Sequence, residues 1–242
     1  MKSKYTYVWV SLIVLVFGII FIPRIIDRIK GGTVVENTRM NVAAGYDRPL
    51  DYITLDGKKR KVPPFSFLNQ DSLMVSNEDY KGKVYVVEFF FTTCPTICPI
   101  MNQNLVEIQD EFRDFENFGI ASFSINPEYD TPMVLKAYAE KYGITDMDWN
   151  LLTGEQEKIF ELANVGFNIF AASSQDEPGG FEHSGLFALV DKNGYLRSRK
   201  DAYGNPLIYY RGTVKASQGQ NLDGEQEQIS ILKEDIKKLL EE

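Results

Sequence analysis

The chain opens on an unbroken apolar run. Residues 5–22, YTYVWVSLIVLVFGIIFI, contain no charge. Eighteen residues is about the minimum for crossing a hydrocarbon core of roughly 30 Å. Tyr5, Tyr7 and Trp9 stand near one end, where aromatic side chains favour the membrane interface. Pro23 and Arg24 close the run, and no small-x-small cleavage site follows it. Residues 1–30 therefore read as an uncleaved signal anchor. Residues 31–60 read as an irregular stalk with a turn at Leu55-Asp56-Gly57-Lys58. Pro63-Pro64 marks the start of a compact domain spanning 61–242.

Within that domain the apolar period alternates between strand-like and helix-like. Residues 65–68 and 73–75 flank Asn69-Gln70-Asp71-Ser72, a hairpin pattern. Residues 83–91, KVYVVEFFF, are nearly continuous apolar β-formers and predict a buried central strand. From 99 to 115 the spacing becomes helical, with Leu105, Ile108 and Phe112 on one face. A strand follows at 119–125. Asp130-Thr131-Pro132 starts a helix that runs to 141 or 142 and ends at Gly143. Residues 149–152 read as extended and 155–164 as helical. Residues 186–190 and 195–199 flank Asp191-Lys192-Asn193-Gly194, a hairpin with Asn-Gly at its tip. Residues 207–211 predict a further strand, 212–224 a polar mobile segment, and 225–240 a final helix. The last carries Ile229, Leu232, Ile236, Leu239 and Leu240 on its core face. The order predicts an α/β sandwich, a mixed sheet with helices on both faces.

Charge narrows the function. The chain has 26 basic and 34 acidic residues, a net of −8. Five of the bases but only one of the acids fall in residues 1–30, so a basic leader precedes an acidic body. Nucleic acid is excluded as a partner, because phosphate backbones call for a basic face. An acidic body behind a first anchor favours export, and the expected location is a bacterial inner membrane with the domain on its outer side. The flanking positive charges nearly tie and do not set the orientation alone. Two cysteines exclude a disulfide scaffold and a four-cysteine zinc site. A single histidine excludes any site needing two imidazoles.

Those rare residues carry the candidate chemistry. Cys94 and Cys98 lie in FTTCPTICPIMN, where the buried strand gives way to a helix, the position at which open α/β sheets bind ligands. A helix N-terminus favours thiolates, so both sulfurs are expected to ionise readily. One helical turn separates the two and would bring them to the same face. A structural disulfide explains only the pair and closes too small a loop to stabilise much. A redox dithiol and a soft-metal site remain. Two thiolates suit Cu(I), and an added imidazole admits Cu(II). His183, in the glycine-rich loop GGFEHSG before an apolar strand, is the one imidazole available; spacing alone leaves its role open. Met101 is a conceivable fourth soft ligand, although a helix-borne Met so near the core more often packs. Glu107, Asp110, Glu111 and Asp114 read as a solvated helix face.

The segments FFFTTCPTICP, SINPEYDTP, WNLLTG and EHSGLFALVDKNG, in that order over roughly residues 60–240, resemble the Sco/SenC family of copper chaperones. The resemblance implies a thioredoxin-like fold, with Cys94, Cys98 and His183 as copper ligands. It implies delivery of copper to the dinuclear copper centre of cytochrome c oxidase, and it includes the N-terminal span. The implied partners are the copper-centre subunit of that oxidase, an upstream copper donor or reductant, and the membrane. The expected role is a metallochaperone, not an enzyme. The alternative is a membrane-tethered thiol–disulfide reductase, in which Cys94 and Cys98 are the redox pair. The family usually has aspartate where this chain has Asn126, which removes a charge near the site; Asp130 of the same motif is kept. Thioredoxins place two residues between their cysteines and a cis-proline before the facing strand. Here three intervene, and Glu182-His183-Ser184-Gly185 has no proline.

Overall fold

The computed structural model describes residues 6–30, 49–174, 176–177, 179–200 and 204–242. It divides into two units, residues 1–41 and 42–242. The first unit holds α1, Thr6–Lys30, which continues through Pro23 rather than ending there. Leu12, Val14, Leu15 and Phe17 of this helix are all exposed. Among the described residues no helix is long and apolar enough to cross a membrane. Tyr5, residues 31–48 and the first part of the expected stalk lie outside the described residues.

The second unit begins earlier than the proline pair. β1 (Asp51–Tyr52), β2 (Thr54–Leu55) and β3 (Lys58–Lys59) precede it. Residues 50–60, expected to be irregular, therefore carry strands, and Leu50 and Ile53 are buried in the core. The expected turn joins β2 to β3, with Asp56 and Gly57 at φ of 50° and 74°. β4 (Ser66–Leu68) and β5 (Met74–Ser76) form the expected hairpin.

The remaining elements follow the apolar pattern. They are β6 (Val84–Phe90), α2 (Cys98–Phe112), β7 (Phe118–Ser124), α3 (Pro132–Tyr142), β8 (Trp149–Leu152) and α4 (Gln156–Glu161). A π-helical segment, Leu162–Phe167, extends α4 to a left-handed Asn168. Next come β9 (Ala171–Ser173), β10 (Phe181–His183), β11 (Leu186–Val190), β12 (Leu196–Ser198), β13 (Tyr210–Arg211) and α5 (Ile229–Glu241). The strand expected over 207–211 is shorter because Ile208 takes φ 44°, a left-handed value that interrupts extension. The segment expected to be mobile holds a short 3-10 turn at Ala216–Gln218. It is tied to α2 by Asn104, whose amide donates to the carbonyls of Gly212 and Val214.

The main sheet runs β1-β12-β11-β6-β7-β8, with β13 also on β11. β6, β7 and β8 are mutually parallel, and β11 is antiparallel to β6, so the sheet is mixed. Strand alternation sends successive side chains to opposite faces. On one face Phe89 and Phe123 stack and meet Phe65, Phe67 and Phe167. On the other, Phe90 packs on Tyr138 of α3, and α5 packs on β6. Each buried phenylalanine contributes about 2–3 kcal/mol of transfer free energy. The acidic face of α2 is exposed as expected, and Glu111 is additionally paired with Lys233 and Lys237 of α5.

A buried charge cluster docks α5. Arg199 forms a two-bond fork with fully buried Asp235, whose carboxylate also accepts from the Tyr210 hydroxyl. Arg197 similarly binds Asp191, Glu242 and the Leu50 carbonyl. Removing one partner of a buried pair strands the other in low dielectric. Asp235→Ala should therefore cost about 3 kcal/mol of unfolding free energy in urea. Arg113→Ala, which breaks the exposed Arg113–Asp110 pair, should cost less than about 1 kcal/mol. Equal losses would show that the buried cluster does not hold the helix.

Candidate metal centre

Three elements build the site. β6 is buried along its whole length and ends at Phe90, so the chain emerges at the carboxyl end of the sheet. The cysteine loop follows, and α2 begins at Cys98 with Pro99 in its first turn. Cys94 lies before the helix, so the two sulfurs are brought together by the loop and not by the helical turn their spacing suggested; its N–H donates to the Phe91 carbonyl. Pro95 accounts for this, since the residue before a proline is pushed out of the helical region. The third ligand candidate comes from the β9–β10 hairpin, which ends at His183 and folds over the loop. Phe91 contacts both Phe181 and His183, with ring centroids 5.3 and 5.8 Å away. Gly179 permits this approach. It takes φ +89°, and a Cβ there would lie 2.7 Å from the Phe91 ring.

The result is a compact donor set. One ligand atom from each of Cys94, Cys98 and His183 lies within 4.8 Å of the others. His183 Nε2 is 3.3 Å from Cys98 Sγ. The thiols are unbridged, and Cys94 is 8% and Cys98 1% exposed. Two sulfurs that each reach a common ion at roughly 2.3 Å stand at most about 4.6 Å apart. The set is thus nearly gathered for one soft cation.

The two thiols differ electrostatically, which corrects the expectation that both are acidified. A hydrogen bond from Cys98, assisted by His183 and Thr96, holds the Cys94 pKa well below that of an ordinary thiol. Burial pushes the Cys98 thiol up, and the adjacent Cys94 sulfur reinforces this. Desolvation and like charge outweigh the helix N-terminus at Cys98. The two thiols are thus shifted in opposite directions, Cys94 down and Cys98 up.

Other residues support the site, some of them within the quoted motifs but with roles only the structure shows. Asp130, fully buried, accepts from the Thr92 backbone N–H at 3.0 Å and from the hydroxyls of Thr92 and Ser124. It clamps the start of the cysteine loop to the end of β7. Asn126 occupies the turn before α3, where its carbonyl accepts from the N–H groups of Tyr129 and Asp130. Asn102 donates to the Cys98 carbonyl at 2.9 Å and to the Tyr138 hydroxyl at 2.7 Å. Glu88 lies within the core strand, accepting from Ser122 at 2.6 Å, and burial raises its pKa to about 7. Its signal was a lone charge inside an apolar run. Met101 is fully buried in the core, where packing accounts for it.

A thioredoxin-like mixed α/β fold that closes a dithiol and an imidazole into one cluster defines a narrow class of proteins. The family model SCO1/SenC matches residues 54–211. The chain belongs to that family. It is 38% identical over 137 residues to the SCO1 protein homolog of Bacillus subtilis, covering 55% of this chain and 70% of the relative. It is 30% identical over 145 residues to a putative copper-binding protein of Stutzerimonas stutzeri, covering 58% and 69%. Among solved structures it resembles BsSco, described as a Sco-family cytochrome c oxidase assembly protein with a disulfide switch. That match has a TM-score of 0.61 at 28% identity, covering 80% of this chain and 98% of the other.

Asp130 offers a direct test of how the loop is held. Asp130→Ala removes the acceptor for three donors at the loop's root. Supporting residues of this kind typically change metal affinity 10–100-fold. Asp130→Ala should lower Cu(I) affinity by about that factor, and Asp130→Asn by less, in a competition titration against a chromogenic chelator. Unchanged affinity in both would leave the clamp without a role at the site.

Proposed function

We propose that this protein is a membrane-anchored copper metallochaperone that delivers copper to the dinuclear copper centre of cytochrome c oxidase. The carrying observation is the gathering of Cys94, Cys98 and His183 donor atoms within 4.8 Å of one another. Two soft sulfurs and one imidazole are a donor set for Cu(I) that also tolerates Cu(II). Family membership supports the reading, as do the copper-binding name of the Stutzerimonas relative and the oxidase-assembly role stated for BsSco.

In this reading Cys94, Cys98 and His183 are the ligands and copper is cargo. Cys94 meets the incoming ion as a thiolate, and Cys98 gives up its proton as the ion is captured, so loading requires the reduced dithiol. Cys94, the more exposed of the two, is the natural point of exchange with an acceptor's thiols. The copper-centre subunit of the oxidase is that acceptor, and an upstream donor or reductant supplies the copper or the electrons. The uncharged run of residues 5–22 and the exposed apolar side chains of α1 support an anchor in a bacterial inner membrane, with the domain on its extracytoplasmic side.

The unequal thiols favour a second reading, a thiol–disulfide reductase that keeps the acceptor's cysteines reduced. An attacking thiolate and a resolving thiol are what such a dithiol needs. His183 separates the two, because reduction does not require a distant imidazole ligand and copper retention does.

Cys94→Ser or Cys98→Ser should abolish tight Cu(I) binding, and His183→Ala should weaken Cu(II) more than Cu(I). A Cys94→Ser, Cys98→Ser double variant that keeps wild-type copper affinity would refute the site. In cells, His183→Ala should impair oxidase assembly at limiting copper while the purified variant still reduces disulfides. Added copper should partly restore assembly by mass action. Full oxidase activity in His183→Ala, together with its loss in either cysteine variant, would favour the reductase. For the anchor, a C-terminal reporter that works only in the cytoplasm should be inactive; an active one would reverse the topology.

A further inference from the structure

The end of the sheet opposite the cysteines carries a second polar cavity. It sits where β6 begins and where β11 turns into β12, with a volume of about 430 Å³. Lys61, Lys81, Lys192, Asn193, Glu78 and Tyr85 are among the residues that line it. These lysines converge in a body that is otherwise acidic, since residues 31–242 hold 21 basic and 33 acidic side chains.

The acids near the cavity are already engaged. Glu78 pairs with Lys81 at 3.3 Å. The Asp191 carboxylate accepts from Arg197 and from the N–H groups of Asn193 and Tyr195, all at 3.0 Å. Among the described residues neither Lys61 nor Lys192 has a carboxylate partner. Lys61 extends over the Asn193-Gly194 turn, with its Nζ 5.6 Å from the Tyr195 ring centroid.

Tyr85 is the observation that points to a ligand rather than to solvated lysines. It is 2% exposed, and its ring packs on Tyr80 with centroids 4.5 Å apart. Among the described residues its hydroxyl has no hydrogen-bond partner, although it lines the cavity. Burial raises its pKa, so the hydroxyl stays protonated and acts as a donor. The hydroxyl is not enclosed in the core but opens on the cavity, where it is free to donate to a bound group.

We propose that this cavity binds a phosphate-type oxyanion, held by Lys61, Lys192 and the Tyr85 hydroxyl. Lysine ammonium groups meet phosphate as point charges, and a phenol O–H adds a directed bond to one oxygen. The volume exceeds that of a simple halide and leaves room for a phosphate bearing a substituent. The same chemistry is presented by free phosphates and by phospholipid headgroups.

The test uses the full chain in neutral detergent, titrated calorimetrically with inorganic pyrophosphate at low salt. One saturable site per chain is expected. Tyr85→Phe should weaken it about fivefold and a Lys61→Gln, Lys192→Gln double variant at least tenfold, with fold checked by thermal unfolding. The double variant alters only surface side chains and decides the matter if Tyr85→Phe unfolds. Parallel titration with monomeric dihexanoyl-phosphatidylglycerol assigns the source. Tighter binding of the lipid indicates a headgroup, and tighter pyrophosphate a soluble phosphate. Absence of saturable binding, or equal affinity in wild type and the lysine double variant, overturns the proposal.

Discussion

The buried carboxylate of Asp130 is the contact on which the site's geometry rests. β6 and β7 run parallel and end side by side, so without a crosslink their following loops could separate. Asp130 bridges them by accepting from Thr92 after β6 and Ser124 at the end of β7. Three donors converging on one buried carboxyl fix it firmly in place. The root of the cysteine loop is thereby fixed two residues before Cys94. Asn102 does the complementary work from the helix side, bonding the Cys98 carbonyl and the Tyr138 hydroxyl of α3. The loop between these two fixtures is short and holds Pro95, so little freedom remains for Cys94.

The third donor reaches the site by a different route. His183 sits 85 residues beyond Cys98. What delivers it is the antiparallel pairing of β11 with β6, since β10 leads directly into β11. The hairpin carrying His183 then packs through Phe91, the residue where the central strand becomes the cysteine loop. Gly185 completes the turn at φ 64°, and a Cβ there would meet Thr213 at 2.4 Å and Ile97 at 3.2 Å. Sheet pairing sets the coarse position, and two glycine approaches set the fine one.

Most strands and helices were legible because each rests on a local signal, but the β9–β10 hairpin, expected only as a glycine-rich loop around His183, was not. The apolar run of 83–91, the Thr131-Pro132 start and the Gly143 stop act over a few residues, and the structure keeps all three. The cysteines and the histidine were legible because they are scarce. What escaped depends on tertiary context. Residues 50–60 are too polar to look like sheet, yet β1 pairs with β12 and buries Leu50 and Ile53 beside it. Ile208 gave no warning of its left-handed backbone. The division of the thiols into one acidified and one suppressed was hidden as well. Sequence places both near a helix start, and only burial distinguishes Cys98 from Cys94.

That division bears on how cargo could move. A site of two standing thiolates would grip a soft cation tightly at any encounter. In the proposed copper-carrying reading, raising the Cys98 pKa makes the second bond depend on loss of a proton from that buried thiol. In the same reading release reverses the order, with protonation of Cys98 weakening the hold. Desolvation thus makes full coordination conditional, whereas the Asp130 and Asn102 fixtures keep the donors close enough for it to form. For a protein that carries copper as proposed, reversibility would then depend on the depth at which Cys98 is buried as much as on which residues are present.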